Sequence, residues 1–187
     1  MNDDELERLF RLYHVPLVRY LSRRLGDRDW AEEVAQETFL RALRQETLAS
    51  ERSWLFAVAT NLVRDEARKD DRRRSRLQLL ASEERVREDE RVADAAADAE
   101  EGVAEYDRKR AAEMALARRA VESLAERDRL ALLMREEGLD YHEIAAALGL
   151  SFGSVGTTLA RARRRLTESY EALQTGAQRA GGSNEAS

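Results

Sequence analysis

Apolar residues recur at helical spacing along most of the chain, and residues 140–166 show this most clearly. The letters DYHEIAAALGL place apolar side chains at i, i+3, i+4 and i+7, which predicts a short amphipathic helix. Gly149 suits the left-handed backbone that ends such a helix, and Ser151 can cap the next one. The second helix repeats the pattern through Val155, Leu159, Ala162 and Leu166. Two helices joined by a short turn with a glycine form a helix-turn-helix unit.

The solvent side of this second helix carries small and hydroxyl residues first and arginines last. The small residues would let the backbone approach base edges, and the guanidiniums would neutralise phosphates or read guanine. The predicted duplex-binding residues are Ser154, Thr157, Thr158, Arg161, Arg164 and Arg165. Four arginines within five residues favour nucleic acid over the alternative, a plain helical hairpin with a solvated basic face.

The same periodicity predicts three helices in the first half of the chain. The first spans about residues 3–25, and Pro16 should kink it or split it in two. The second starts at an Asp29 cap and ends near residue 44. The third follows a loop and has Ser53 as its cap. It ends in a run of lysine and arginine residues that could follow a phosphate backbone.

Acidic residues interrupt the apolar pattern in the middle of the chain. Residues 83–107 hold eleven acids and three arginines, a charge of −8, so the remainder carries +3 although the whole chain carries −5. We predict a flexible acidic linker, whose acid could cover the basic recognition helix in the free protein. The predicted division is an N-terminal helical domain (1–74), the linker (75–108), a C-terminal helix-turn-helix domain (109–172) and a disordered tail (173–187).

Composition narrows the class of protein further. Charged residues make up 37% and aromatic residues 6%, with a single proline, which indicates an all-α fold of two small helical domains. The absence of cysteine excludes disulfides and thiolate metal sites. No apolar run approaches the roughly 18 residues of a membrane span, and the N-terminus is acidic, so we expect a cytoplasmic protein. His14 and His142 lack an acid three residues earlier, and we predict no metal, no cofactor and no catalytic residues.

Three blocks together resemble a known family. AEEVAQETFLRAL, then SWLFAVATNLVRDEARK, then LAERDRLALLMREEGLDYHEIAAALGLSFGSVGTTLARARRRL are similar to the extracytoplasmic-function (ECF) class of sigma-70 RNA polymerase sigma factors. The resemblance covers about residues 6–74 and 108–170. It implies a subunit without catalytic residues that binds core RNA polymerase, directs it to specific promoters and helps to open the DNA.

The resemblance also implies roles for particular residues. The second helix would dock on the β′ clamp helices of the polymerase through Glu33, Gln36, Glu37, Leu40 and Arg41. The third helix and the loop before it would bind the −10 element as a single strand through Glu46, Arg52, Trp54, Asn61, Arg64 and Arg68. The C-terminal domain would read the −35 element as duplex, the β flap would be a second polymerase contact, and an anti-sigma factor is a possible further partner.

The chain differs from the family pattern at two positions, and two alternative functions remain open. The family's recognition helix often has a lysine and an arginine where this chain has Gly156 and Thr158, which lowers the charge near the duplex. One rival is a stand-alone helix-turn-helix regulator that binds duplex DNA without polymerase. The other is a helical adaptor whose basic helix contacts protein or RNA, which would show no promoter preference.

Overall fold

The computed structural model describes residues 2–80 and 101–182, and within these residues the chain forms seven α-helices and no strand. The helices are α1 (Asp3–Leu25), α2 (Arg28–Leu43), α3 (Glu51–Leu80), α4 (Glu101–Glu122), α5 (Glu126–Glu136), α6 (Tyr141–Leu148) and α7 (Phe152–Gly182). The expected all-α fold is confirmed. Residues 81–100, which include most of the predicted acidic linker, lie outside the described residues, as do residues 183–187.

The first helix has its predicted bounds, whereas the second is capped by a different residue from the one predicted. The helix α1 starts at a capping box formed by Asn2 and Glu5, and it continues through Pro16 without splitting. It ends at Gly26, whose φ of 75° is left-handed. The cap of α2 is Asp27, which accepts a hydrogen bond from the Trp30 backbone, so the assignment to Asp29 was two residues late. Asp27 and Asp29 are both suitable caps, and the position at which the chain leaves the Gly26 turn determines which of them caps α2.

Helix ends also differ from the prediction in the middle and at the end of the chain. The helix α3 begins at Glu51, ahead of the predicted Ser53 cap, and Ser53 is buried with its hydroxyl bonded to Ser50. It extends to Leu80, and α4 already begins at Glu101, so helix occupies both ends of the predicted linker. The helix α7 continues to Gly182, so much of the predicted disordered tail is helical. Alanine, arginine and glutamate favour helix even where no apolar face is present.

One hydrophobic core joins the two halves of the chain. Its first part comes from α1, α2 and α3, which pack on one another around Tyr20, Leu21 and Phe56, all fully buried. The Tyr20 hydroxyl lies 2.8 Å from Thr60 Oγ1, which satisfies its buried polar end. The second part comes from α5, α6 and α7, and the two parts meet where α1 contacts α5 and α3 contacts α6. The halves are therefore packed together in this structure.

The helix-turn-helix unit is present where the sequence predicts it. The helices α6 and α7 meet at 94°, and Gly149 between them has φ 64°. The inner face is buried as expected at Ile144, Ala145, Val155, Leu159 and Ala162. No single described helix is long and apolar enough to cross a membrane; only α6 and α7 taken together reach the required hydropathy, across this bend.

Replacing Gly149 tests the turn. Gly149→Ala should lower the free energy of unfolding by about 1–2 kcal/mol, because an L-residue is strained at this φ although nothing lies within 4 Å of the added Cβ. Gly153→Ala is the matched control, since Gly153 is helical and has the same open space. It should raise stability by about 0.4–1 kcal/mol. Urea unfolding followed by circular dichroism measures both, and equal effects of the two variants would contradict the role of Gly149.

Candidate nucleic-acid interface

The solvent face of α7 exposes residues that were predicted to contact duplex DNA, but one of the predicted residues is buried. Gly153, Thr157, Ala160 and Arg164 are exposed along one side of the helix. Thr158, predicted to face DNA, is only 5% exposed because it lies on the inner face of α7 beside Leu159. Ser154 is half-buried, and its hydroxyl donates to the Ser151 carbonyl. The exposed side of α7 therefore carries Gly153, Thr157 and Ala160 first and a cationic group, Arg164, further along.

A buried carboxylate holds the arginines of α7 in place. Arg161 donates two hydrogen bonds to Asp128 in the first turn of α5, from Nε at 2.9 Å and from Nη2 at 2.5 Å. Arg165 Nη1 lies 3.6 Å from the same carboxylate, whose side chain is 1% exposed. These hydrogen bonds and charges lower the pKa of Asp128 against the opposing effect of its burial. Arg161 is thus engaged within the protein, and Arg164, which is 69% exposed, is the more accessible cation.

The predicted −10 residues divide between exposed positions and contacts with the second half of the chain. Glu46, Asn61 and Arg68 are exposed, whereas Trp54 packs partly against the core. Arg52 donates to the backbone carbonyls of Glu137 and Gly138, the latter at 3.1 Å. Its Nη1 also lies 3.7 Å from Glu143.

A cleft of about 480 Å³ separates α1 and α3 from α5. Four arginines line it, together with one carboxylate, that of Glu126, and the lining arginines are Arg24, Arg64, Arg68 and Arg129. Arg64 Nε donates to Glu126 at 2.9 Å, and Arg24 Nη2 donates to it at 3.2 Å. Burial opposes ionisation of Glu126, but the neighbouring guanidiniums outweigh it and lower its pKa. Burial lowers the pKa of the Arg24 guanidinium, which is 5% exposed, and its neighbours Tyr20 and Glu126 oppose this shift.

The predicted polymerase-docking residues share the outward face of α2. Glu33, Gln36, Leu40 and Arg41 are exposed, and Glu37 forms an ion pair with Arg41 at 2.8 Å in which each side chain is 45% exposed. The inward face of the same helix is buried at Ala31, Val34, Ala35, Thr38, Phe39 and Ala42. The helix is thus fixed by its apolar side and leaves a polar side accessible.

Sequence reasoning missed two features near these surfaces. Phe10 of α1 is 44% exposed beside Phe39 of α2, with ring centroids 5.2 Å apart. Glu137, which directly follows α5, is a buried carboxylate between the two halves. The periodicity could have signalled Phe10, since α1 has more apolar residues than one face can bury. No local signal identifies Glu137, because its partners are more than a hundred residues away.

Each of the two histidines stacks on an aromatic ring, and neither belongs to a metal-binding cluster in the part of the chain that the structure describes. No group of three or more histidines, cysteines or acids there could hold a metal ion. His14 pairs with Glu32 at 3.1 Å and stacks on Phe10, and His142 stacks on Phe152 with ring centroids 4.2 Å apart. The arrangement can bind polyanions and present a polar helix face.

The fold and these surfaces define a helical DNA-binding protein with a C-terminal helix-turn-helix, and comparison with known proteins identifies its family. The family model for sigma-70 region 2 matches residues 9–73, and the model for sigma-70 region 4 matches residues 114–166. The chain belongs to the sigma-70 family of RNA polymerase sigma factors, in its extracytoplasmic-function class. It is a promoter-specific initiation factor that acts with RNA polymerase and promoter DNA, as the resemblance implied.

Individual members of the family can be aligned with most of this chain. RNA polymerase sigma factor YlaC of Bacillus subtilis is 29% identical over 168 residues, which span 87% of this chain and 90% of that protein. ECF RNA polymerase sigma factor SigE of Mycolicibacterium smegmatis is 32% identical over 88% of this chain, but the match covers only 60% of SigE. A solved structure of sigma factor RpoE with anti-sigma factor NepR, from Bartonella quintana, covers 89% of this chain and 97% of RpoE. Its TM-score is 0.60 at 20% identity, which shows that the fold is shared.

The Asp128 carboxylate provides a pH test of the α5–α7 contact. A carboxyl whose pKa is lowered on folding stabilises the protein above its unfolded pKa of about 3.9 and loses this effect as the pH falls further. Asp128→Asn should therefore reduce the free energy of unfolding at neutral pH by about 1–2 kcal/mol, allowing for the partly exposed guanidiniums. The difference from the parent should shrink below about pH 4.

Thermal or urea unfolding across this pH range measures the effect of Asp128→Asn. Asp65→Asn is the control, because Asp65 is 61% exposed and pairs only loosely with Arg68, at 3.7 Å. It should change stability by less than about 0.5 kcal/mol. A loss in Asp128→Asn that does not diminish in acid would mean that charge is not the cause.

Proposed function

We propose that the two halves of the chain have different roles in transcription initiation. Residues 1–74 would serve as the domain that binds core polymerase and the −10 strand, and residues 109–172 as the domain that binds the −35 duplex. The two family models, which match these halves separately, support the division. The protein would act in the cytoplasm with the polymerase and would contribute no catalytic residue of its own.

The proposed binding of polymerase by α2 rests on the difference between its two faces. Its apolar side is buried in the core, while Glu33, Gln36, Glu37, Leu40 and Arg41 remain on the accessible side. A helix with a fixed orientation and a mixed polar and apolar outer face suits docking on another helix pair, here the β′ clamp helices. Exposed Phe10 beside Phe39 extends this face with an apolar contact.

The −10 role rests on the exposed and basic side of α3 and the loop before it. Asn61 is exposed on α3, and Arg64 and Arg68 follow it by three and seven residues, which places a polar and cationic row along the helix. Such a row can track the backbone of a single strand. Glu46, Arg52 and Trp54 at the loop and helix start would complete the surface.

The −35 role rests on the outward face of α7. Gly153 and Ala160 leave room for a close approach, and Thr157 can donate to or accept from a base edge. Arg164 is placed for phosphate or guanine, whereas Arg161 and Arg165 would first have to leave Asp128.

An anti-sigma factor is a further proposed partner. A groove between α1 and α4 is lined by apolar Val15, Val18, Met114 and Val121 and also by several arginines. Met114 is 65% exposed and Val15 is 62% exposed. Such a groove suits an amphipathic helix with acidic flanks. The solved complex of RpoE with the anti-sigma factor NepR supports an anti-sigma factor as a partner.

Reversing one charge on α2 tests the docking face. Glu37→Lys should abolish stoichiometric co-elution with bacterial core RNA polymerase on a sizing column. The fold should be retained, because the lost Glu37–Arg41 pair is exposed and worth only about 0.3–0.5 kcal/mol. Glu122→Lys, which breaks a somewhat more exposed pair with Arg118, should co-elute normally. Tight duplex binding by the parent alone, without any co-elution, would instead indicate a stand-alone regulator.

The −35 assignment is tested on two neighbouring arginines of α7. Arg164→Ala should weaken protection of the upstream promoter element by about 1–3 kcal/mol if the guanidinium reads a base. Arg163→Ala removes the same charge from the flank of the helix and should have a smaller effect. Footprinting with the polymerase holoenzyme measures both. Equal weakening would show that Arg164 acts on phosphates and not on a base.

A further inference from the structure

Three aromatic side chains form a cluster at the side of the helix-turn-helix where both of its helices begin. Tyr141 and His142 are the first two residues of α6, and Phe152 is the first residue of α7. The rings of His142 and Phe152 are stacked, with centroids 4.2 Å apart and an angle of 22° between their planes. The Tyr141 ring lies 6.3 Å from the Phe152 ring and is tilted by 55°. None of the proposed DNA contacts uses this aromatic cluster.

The Phe152 side chain is large and apolar, yet it remains accessible to solvent. Phe152 is 51% exposed, whereas Val155 in the same turn of α7 is fully buried. The stacked His142 ring covers one side of the phenyl ring and limits the orientations that it can take. Single exposed apolar residues are common, so exposure alone indicates no function. Phe152, however, begins the recognition helix, whose first residues contact base edges when a helix-turn-helix binds duplex DNA.

Phe152 is the first member of a row of residues along α7. Residues four apart are neighbours on the surface of a helix, and the row continues through Gly156, Ala160 and Arg164. Glycine and alanine in the middle leave room for a duplex to approach both ends of the row. A Cβ added at Gly156 would lie 3.6 Å from Tyr141 Cε2, so the Tyr141 ring packs against α7 at this point. The row therefore has an aromatic ring at one end and the accessible Arg164 at the other.

The two ends of this row suit different base pairs and different chemistry. From Phe152 to Arg164 the helix rises by about 18 Å, which corresponds to about five base-pair steps of duplex. A guanidinium binds phosphate or guanine, but a phenyl ring has no donor or acceptor with which to read a hydrogen-bonding pattern. Thymine is the base that presents an apolar group, its C5 methyl, in the major groove. A phenyl ring at the start of the recognition helix is complementary to that methyl group.

From this position and chemistry we propose that Phe152 is a further specificity-determining residue of the −35 contact and selects a thymine through its C5 methyl group. His142 is its positioning residue, because the stacked imidazole fixes the orientation of the phenyl ring. The inference rests on the proposed −35 role of α7 and adds a base preference that the arginines do not provide. A protein partner is disfavoured, because small residues follow the ring along the row and one ring is a small part of a protein interface.

The test uses the full chain in the polymerase holoenzyme, bound to a promoter fragment that this holoenzyme protects. Each thymine of the upstream element is replaced in turn by deoxyuridine, which lacks only the C5 methyl group, and fluorescence anisotropy measures the affinity. At one position the parent should lose about fourfold in affinity, as expected for one buried methyl group. Phe152→Ala should bind the thymine and deoxyuridine duplexes equally at that position.

Leu12→Ala is the matched control, because Leu12 of α1 is also 51% exposed and lies outside the helix-turn-helix. It should keep the parent's preference for thymine, and circular dichroism checks that each variant retains its helices. A parent without a preference at any position, or a Phe152→Ala variant that keeps the preference, overturns the proposal. Failure of Phe152→Ala to co-elute with core polymerase also overturns it, since the ring would then contact protein.

Two variants test the positioning role of His142. His142→Ala removes the stacked ring and should reduce the preference for thymine. His142→Phe restores an aromatic ring and should retain the preference, although it has no nitrogen that could meet a phosphate. Full preference in His142→Ala, or its loss in His142→Phe, overturns the positioning role.

The −35 role of α7 is tested separately by Arg164→Ala. Unchanged upstream protection in that variant overturns the role of Arg164 in the −35 contact. If Arg164→Ala weakens protection while Phe152→Ala keeps the preference for thymine, the −35 role stands and only the role of Phe152 is overturned. The two failures are therefore distinguishable.

Discussion

The buried Glu137 carboxylate is the interaction on which the relation between the two halves depends. A carboxylate cannot be removed from water without compensation, and here the guanidiniums of Arg19 and Arg23 supply it. Because these arginines lie on α1 and Glu137 follows α5, the protein itself can compensate the charge only when the halves are together. Apolar contacts of α3 with α6 extend the same junction and join the cores of the two halves into one.

A second buried carboxylate organises the C-terminal half in the same way. Asp128 lies at the start of α5 and binds Arg161 and Arg165 of α7, so the recognition helix is oriented by charge as well as by packing. This has a cost for DNA recognition, since those arginines are less available than exposed Arg164. The buried Asp128 carboxylate thus determines which arginines of α7 remain unengaged, and net charge alone does not describe this surface.

Much of the local structure was predictable because it depends on neighbours in sequence. The spacing of Ile144, Ala145, Val155 and Leu159 predicted the buried faces of the helix-turn-helix, and Gly149 predicted the turn. Predictions were wrong where two local choices were nearly equal. Asp27 and Asp29 can each start a helix, and Thr158 lies near the boundary between the inner and outer faces of α7. The predicted linker and tail were partly helical because helix propensity there does not require an apolar face.

The sequence by itself determined the helices, the helix-turn-helix and the family, because periodicity, caps and motif blocks are all encoded within short stretches. The sidedness of α2 could also be read from its pattern. Only the tertiary structure decided which arginines are partnered, which acids are buried and how the two halves meet. The reason is that a charge pair such as Arg19 and Glu137 joins residues far apart in the chain, and its strength depends on burial that no local pattern records.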